Sequence, residues 1–591
     1  MLTLLFLEAV GLRRTWDLRG YTGQALALLT ERQLAYGYRH TERFLAELAR
    51  VGADEPFTQV LASWTASLWK RQPSVEGSPA PIFYIDGHRK AVYADHLIPR
   101  GLVGRQGKIL GCRALVVLHD QEGRPLLVTT HRGDQHLTMG LPAMITRYEQ
   151  AAGLHSVERV VVDREGMAAE FLAALASEGR TVITVLRTDQ YSGLESFREV
   201  GEFLPLRVDR QGQVTREVAL ARFSISLPEH RGQELELRVA LIRDLCRHVP
   251  CEEQSKDEDR PRRWDEKPDG THEYWLDEGW KATPLPAAPT VPKLIPIVTT
   301  ATQADAVELA QTYTRRWPVQ ENAIRDWLIP LGLDVNHGYG KSPVINSEVA
   351  KKREALQKRL DNVQRWTDGA RKRMHNASKL YRKRCQLTKE RATELYRVLN
   401  DHQIELERQD MDRYLLRTTI KEEKAIADAE IEEYQQRQWK AYHTSNQEFA
   451  KCEKYCREQR ELLRAIEELE QQEREMYELD NRKDQIMTVC KVALANLGMW
   501  ARDHYFPAEY AHASWHRLQV FFQLPGRVHW ETDCVSVELK PFNDCALNRD
   551  LHAVCTKVAQ AQPHLPDGRR LLFRVQGTGL PCLDAQEQAV A

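Results

Sequence analysis

The sequence predicts an α/β protein: a mixed sheet flanked by helices, interrupted by a β-rich insertion and followed by a long helical hairpin and a small α+β C-terminal region. Three observations carry this expectation. Short β-type runs alternate with helical stretches between residues 82 and 186 and resume after residue 293. Between residues 200 and 292 the alternation gives way to strand-like runs and a polar, Pro-rich stretch. From Ala370 to Leu497 there is neither glycine nor proline, and the segment is dense in Glu, Lys, Arg and Gln, the composition of long helices.

In chain order, residues 1–75 read as a helical N-terminal region, with apolar residues at helical spacing in Gly23–Ala35, His40–Val51 and Ala62–Trp69. Ser74–Pro81 reads as a linker. The first part of the sheet, 80–199, carries strands at Ile82–Asp86, Ala114–Leu118, Leu126–Thr130, Val160–Asp163 and Thr181–Leu186, with helices near Ala143–Ala152 and Met167–Ser177. The insertion, 200–292, has strands at Leu204–Val208, Val214–Ile225 and Leu235–Ile242, then a long loop from Glu252 to Pro292. Residues 293–345 complete the core with strand Ile295–Thr299 and helix Ala304–Arg316. Apolar positions near a 3.5-residue period (Leu356, Leu360, Val363, Ala370, Met374, Ala377; Leu462, Ile466, Leu469, Met476) predict a coiled-coil-like antiparallel hairpin over 346–497 that turns near Asn400–Gln409. The last segment, 498–591, reads as strands Val520–Leu524, Val535–Leu539 and Leu571–Val575 with a helix at Asn548–Ala561.

At 591 residues the chain has room for roughly three or four domains. Its formal net charge of −1 excludes a whole-chain electrostatic argument for nucleic acid, so any basic surface is local. Eleven scattered cysteines show no disulfide framework, which points to a reducing compartment. No run approaches the ~18 apolar residues of a membrane span. The chain opens inside an apolar segment with no polar lead-in, which raises the expectation that related chains carry a further N-terminal module.

Three carboxylates stand out. Asp86 follows Ile82-Phe83-Tyr84-Ile85, Asp163 follows Val160-Val161-Val162, and Glu321 lies in a helical stretch after the insertion. A carboxylate at the end of a buried strand needs a cation or several donors. A right-handed crossover can set the Asp163 strand parallel to and beside the Asp86 strand, so that both acids share the edge where open α/β sheets place ligands. Each taken alone is more readily a turn, a cap or a solvated helix residue; their order and context give the trio its meaning. Pro318 predicts a break near Trp317 that leaves Glu321 close to a helix start, a placement that favours its ionised form.

The motifs Ile85-Asp86-Gly87-His88, Val162-Asp163-Arg164-Glu165-Gly166 and Tyr313-Thr-Arg-Arg-Trp-Pro-Val-Gln-Glu321-Asn resemble those of bacterial insertion-sequence DDE transposases. The similarity is to the branch with a β-strand insertion before the catalytic Glu and a Tyr-Arg-Glu-Lys signature, and it covers about residues 80 to 340. The resemblance implies an RNase H-like core in which Asp86, Asp163 and Glu321 hold two Mg²⁺ or Mn²⁺ ions. It implies DNA cleavage at transposon ends followed by strand transfer into target DNA. It further implies DNA contacts from Tyr313 and from Arg315 or Arg316, a homodimer joining two terminal inverted repeats, and a cytoplasmic, nucleoid-associated location. The chain departs from the signature in two places. The Arg316-to-Glu321 spacing is one residue longer, and the Lys is replaced by Ile324-Arg325-Asp326, where Arg325 is the substitute, although Arg and Lys differ as phosphate ligands. An RNase H-like nuclease that cuts without joining is one alternative; a repurposed transposase acting as a DNA-binding or coiled-coil interaction protein is another.

Other candidates have blander readings. His88, His119 and His131 read as surface or strand-end residues, and Cys246, His248 and Cys251 lack a second pair at zinc-finger spacing. Trp264, Trp275 and Trp280 read as local packing rather than base-stacking platforms. The basic stretch Arg371–Arg391 fits a DNA-tracking face and a solvated helical face equally.

Overall fold

The computed structural model describes residues 2–21, 36–69, 81–104, 107–227, 233–250, 263–266, 272–278, 281–285, 290–409, 412–471, 475–565 and 567–577. The expected helix Gly23–Ala35, most of the Ser74–Pro81 linker, Trp280 and Cys251 lie outside these residues. The chain divides into two compact units, Met1–Ser342 with Tyr477–Ala591, and Pro343–Met476.

The first unit is built on a 10-stranded mixed sheet. Its strands are β1 (Ile82–Ala91), β2 (Arg100–Val103), β3 (Lys108–Asp120), β4 (Pro125–Arg132), β5 (Arg159–Val162), β6 (Thr181–Val185), β7 (Leu204–Val208), β8 (Val214–Ser226), β9 (Glu234–Pro250) and, beyond the insertion, β13 (Thr290–Thr299). The order is β2-β3-β1-β5-β6-β13-β9-β8-β7, with β4 also on β3. Strands β1, β5 and β6 run parallel, and the remaining neighbours are antiparallel. The insertion strands β7, β8 and β9 therefore extend the main sheet through β13.

The two faces of the sheet carry separate cores, as alternation along each strand requires. Phe83, Ile85, Val160, Val162 and Val182 pack against α3 (Asp54–Leu68), α4 (Leu137–Ala152), α5 (Ala169–Ser177) and α9 (Arg482–Tyr505). Tyr84, Val161, Ile183 and Ile297 pack on the other face against α6 (Ala306–Thr314). The N-terminal helices α1 (Leu2–Ala9) and α2 (Tyr38–Arg50) add a small core with Ile486, Met487 and Cys490 of α9. The fold is thus mixed α/β with a large mixed sheet.

A buried charge network ties this unit together. Lys90 Nζ on β1 meets Asp484 Oδ2 on α9 at 2.5 Å, and Arg113 Nη1 on β3 lies 3.6 Å from Asp484 Oδ1, all three groups being essentially inaccessible. Lys491 Nζ, also on α9, lies 3.7 Å from Glu8 Oε1 of α1 and donates to the Gly332 carbonyl at 2.7 Å. Burial pulls the Lys90 ammonium down to about 8 despite Asp484, and pushes the Glu8 carboxyl up to about 7 despite Lys491.

The second unit is a pair of long helices, α7 (Ser347–Arg408, 62 residues) and α8 (Arg413–Gln471, 59 residues), turning where the sequence predicts. Asn346 caps α7 by accepting from Glu348 and Val349. The short strands β14 (Lys341–Val344) and β15 (Met476–Leu479) lie where the chain passes between the units.

Several expectations are corrected. Strand β1 does not stop at Asp86: its ladder with β3 continues to Ala91 opposite Cys112, so Asp86 sits mid-strand. The long loop contains three described strands, β10 (Arg263–Glu266), β11 (His272–Glu278) and β12 (Lys281–Leu285), paired as an antiparallel sheet. The helical hairpin ends at Gln471 rather than 497, because the helix that follows, α9, is buried on all sides from Asp484 to Val492 within the first unit. Val520–Leu524 is not a strand. Trp515, Leu518 and Phe521 fall on one face of helix α10 (Trp515–Phe522) and are buried together, and helical spacing takes precedence over β propensity. The C-terminal sheet is formed by β16 (Gly526–Trp530), β17 (Cys534–Leu539) and β18 (Arg570–Val575), with α11 (Cys545–Gln560) alongside.

Candidate functional site: three carboxylates around a buried arginine

Parity fixes the first two acids on one face. Asp86 shares its side of β1 with Tyr84, and Asp163 shares its side of β5 with Val161; both point toward α6. The parallel register Tyr84↔Val161 and Ile85↔Val162 brings Asp163 level with Asp86 one step later. Each acid also accepts a local backbone bond, Asp86 from Gly87 N at 2.9 Å and Asp163 from Arg164 N at 2.6 Å. Asp163 is thus the cap of the one-turn helix Arg164–Gly166 as well as a member of the trio.

The third acid arrives from above this face. Tyr84 Oη donates to the Thr312 carbonyl at 3.1 Å, pinning α6 to β1. After Thr314 the backbone stays right-handed helical through Arg315 and Arg316 and widens into a π-helical turn, Trp317–Glu321. A second π turn, Ile324–Leu328, follows. The α-helix thus ends before Pro318, which falls in the first positions of the next helical element as the sequence predicts, where its missing N–H costs no intrahelical bond. Glu321 closes this short element and so lies close to its start, but burial raises its carboxyl above the ordinary value, against the expectation that the placement favours the ionised form.

Arg316 joins the three acids. Its guanidinium contacts Asp163 Oδ1 at 3.1 Å through Nη1 and Glu321 Oε1 at 3.5 Å through Nη2, and the side chain is only 7 % exposed. Burial opposes its charge, but Tyr313, Asp163, Asp86 and Glu321 together raise it above the usual arginine value. Asp86 is pushed up to about 6: burial raises it, Arg316 lowers it, and the like charges of Asp163 and Glu321 raise it further. The Arg316 Nε is buried without a hydrogen-bond partner among the described residues.

The remaining signature residues divide. Tyr313 is buried in the α6-side core, and burial lifts its phenol to about 12. Arg316 is turned into the carboxylates, while Arg315 is exposed. Arg325 is exposed and pairs with Asp326 through Nε at 2.7 Å. His88 bonds Asp334 Oδ1 at 2.7 Å beside the site. His119 is not a surface residue: it is fully buried, which depresses it to about 4. His131 is half-buried and bonded to Thr129 Oγ1 at 2.8 Å. Cys246 is a free, exposed thiol.

Two supporting residues escaped the sequence reading. Asp334 lies 246 positions from His88, a separation that no local pattern signals. Gly123, in the β3–β4 turn, has φ +82°, and a Cβ there would sit 2.6 Å from the Val319 carbonyl oxygen, so the turn abuts the π turn that carries Glu321. The Asp-Gln-Glu-Gly sequence marks the turn but not what it touches.

Among the described residues, no group of three or more His, Cys, Asp and Glu side chains is arranged to hold a metal ion, and no helix is long and apolar enough to cross a membrane. The donor chemistry nevertheless suits a hard divalent ion: three carboxylates converge where repulsion already demands a cation, which Arg316 supplies. No protein-family model matches this chain, and no curated protein sequence matches it.

Proposed function

We propose that this protein is a DDE-type transposase, cleaving DNA at transposon ends and joining the freed 3′ ends to target DNA. The observation that carries the reading is the convergence of Asp86, Asp163 and Glu321, from two adjacent parallel strands and a helix placed after a β insertion, on one face of the sheet. The strand order β4-β3-β1-β5-β6, three antiparallel strands followed by two parallel ones, supports an RNase H-like core.

Asp86, Asp163 and Glu321 are the residues that would hold two Mg²⁺ or Mn²⁺ ions, which supply activation of a water or 3′-hydroxyl and charge neutralisation at the phosphorus. The chain's own contribution is positioning. Arg316 keeps Asp163 and Glu321 from repelling each other apart. Tyr84 holds the carrier helix on β1. Exposed Arg315, and Arg325 once it leaves Asp326, are cations close in sequence to Glu321 that would be available for phosphate contact. A homodimer that pairs two terminal repeats in a cytoplasmic, nucleoid-associated setting belongs to the same proposal.

The test is cleavage of labelled DNA bearing the element's own ends, in Mg²⁺ or Mn²⁺, with wild type and Glu321→Ala side by side. Nicking by wild type alone is the expected result; equal nicking by both removes Glu321 from the site. Joining of pre-cut ends to a target then separates a transposase from a nuclease that only cuts. DNA retention with no metal-dependent cutting by wild type favours the binding-protein alternative.

A further inference from the structure

From Gly369 to Lys389 the helix α7 carries eight Lys and Arg residues and no Asp or Glu. Packing against α8 divides these charges into two sets. The seam of the hairpin is marked by buried Val363, Thr367 and Ala370, by Ser378 against Ser445 at 3.1 Å, by Tyr381 against Tyr442, and by Thr388. Two arginines are neutralised across the seam, Arg373 by Glu448 at 3.0 Å and, just beyond the run, Arg391 by Glu430 at 2.8 Å. Positions two residues beyond a seam residue lie about 200° around the helix and face away from α8. Lys372 and Lys383 occupy such positions, with Lys379, Arg382 and Lys389 flanking them. All five are exposed and make no ion pair among the described residues.

Such an arrangement is costly for an isolated helix, because Lys379 faces Arg382 and Lys383 at three- and four-residue spacing, where like charges repel. The hairpin does not need them for its own packing. A row of cations about 25 Å long, free of intervening carboxylates, matches a partner with closely spaced negative charge, and duplex DNA presents one phosphate per ~1.7 Å of axis. We propose that the outer face of α7, through Lys372, Lys379, Arg382, Lys383 and Lys389, is a sequence-independent docking surface for the phosphate backbone of duplex DNA. This rests on the DNA reading above but is distinct from the carboxylate site.

The test uses the full chain and a short labelled duplex of arbitrary sequence, with affinity measured across a salt series. One variant changes all five stripe residues to Gln. A control removes the same charge from α8, at the exposed Arg417, Lys421, Lys424, Lys440 and Lys454. Thermal melts check that both variants fold. Five lost phosphate contacts lower the slope of log K against log salt by about 4 in the stripe variant, while the control changes by less than 1. Equal changes in the two variants, or none in the stripe variant, overturn the proposal. If the stripe variant keeps the wild-type slope while wild type still cuts its ends, only the docking surface falls. If wild type binds no duplex even at low salt, both it and the DNA reading fall. A stripe-dependent slope with single-stranded RNA alone overturns the duplex assignment.

Discussion

Asp86 and Arg316 set the electrostatics of the site. With the Asp86 carboxyl raised to about 6 in the folded chain and near 3.8 when unfolded, the folded state holds a proton that the unfolded state releases between those values. The contribution to stability is therefore fully present below about pH 4 and lost as pH rises through about 6. Asp86→Asn should stabilise the metal-free protein at pH 7–8, by on the order of 1–2 kcal/mol after allowance for solvent screening, and should confer no gain at pH 4. Thermal melts across pH in chelator check this; a gain independent of pH would contradict it. Arg316 acts in the opposite sense. Arg316→Gln leaves Asp163 and Glu321 unneutralised, so it should lower the melting temperature in chelator, with much of the loss recovered by millimolar Mn²⁺. A loss that Mn²⁺ does not reduce would show that Arg316 serves packing alone.

At the scale of elements, the decisive piece is the π turn Trp317–Glu321 and the hairpin turn against it. Gly123→Ala introduces both a left-handed backbone penalty and a carbon 2.6 Å from the Val319 carbonyl, so either the β3–β4 turn or the π turn must shift. The expected outcome is modest destabilisation, about 1–2 kcal/mol, with a larger proportional loss of metal-dependent cleavage than of DNA binding. Parallel loss of binding and cleavage would argue against a role in placing Glu321. The sequence disclosed much of this level. Most strands of the main sheet, both acids after apolar runs, and the antiparallel hairpin apart from its C-terminal limit were legible, since period-2 and period-3.5 patterns and the absence of breakers are local signals. The start of a new helical element around Pro318 was legible too, but its π geometry was not, because a proline marks a helix start without fixing the width of the turn. Asp86 was placed at a strand end for a similar reason: Gly87 and His88 look like a turn, and only pairing with β3 keeps them extended.

Across the whole molecule, the strand that carries Asp86 is also the strand that carries Lys90, and Lys90 is clamped by Asp484. Asp484→Asn removes the ion-pair partner of buried Lys90 and the carboxylate nearest buried Arg113. It should cost about 3–5 kcal/mol, a loss that urea titration would register as a lower midpoint at unchanged slope. A cost below about 1 kcal/mol would mean that water or a rearranged Glu8 takes over. This network was invisible in the sequence because its members lie in distant segments, each of which reads as an ordinary solvated charge.

The same clamp bears on when the protein can first act. A ribosome that has released Asp86 must add about 400 more residues, on the order of 20–80 s of synthesis, before Asp484 emerges to brace the strand. Every shorter nascent chain lacks the ion-pair partner of Lys90, and those stopping before residue 321 lack the third acid altogether. An enzyme of the kind proposed here would thereby have all three acids synthesised well before the strand that carries the first of them is braced.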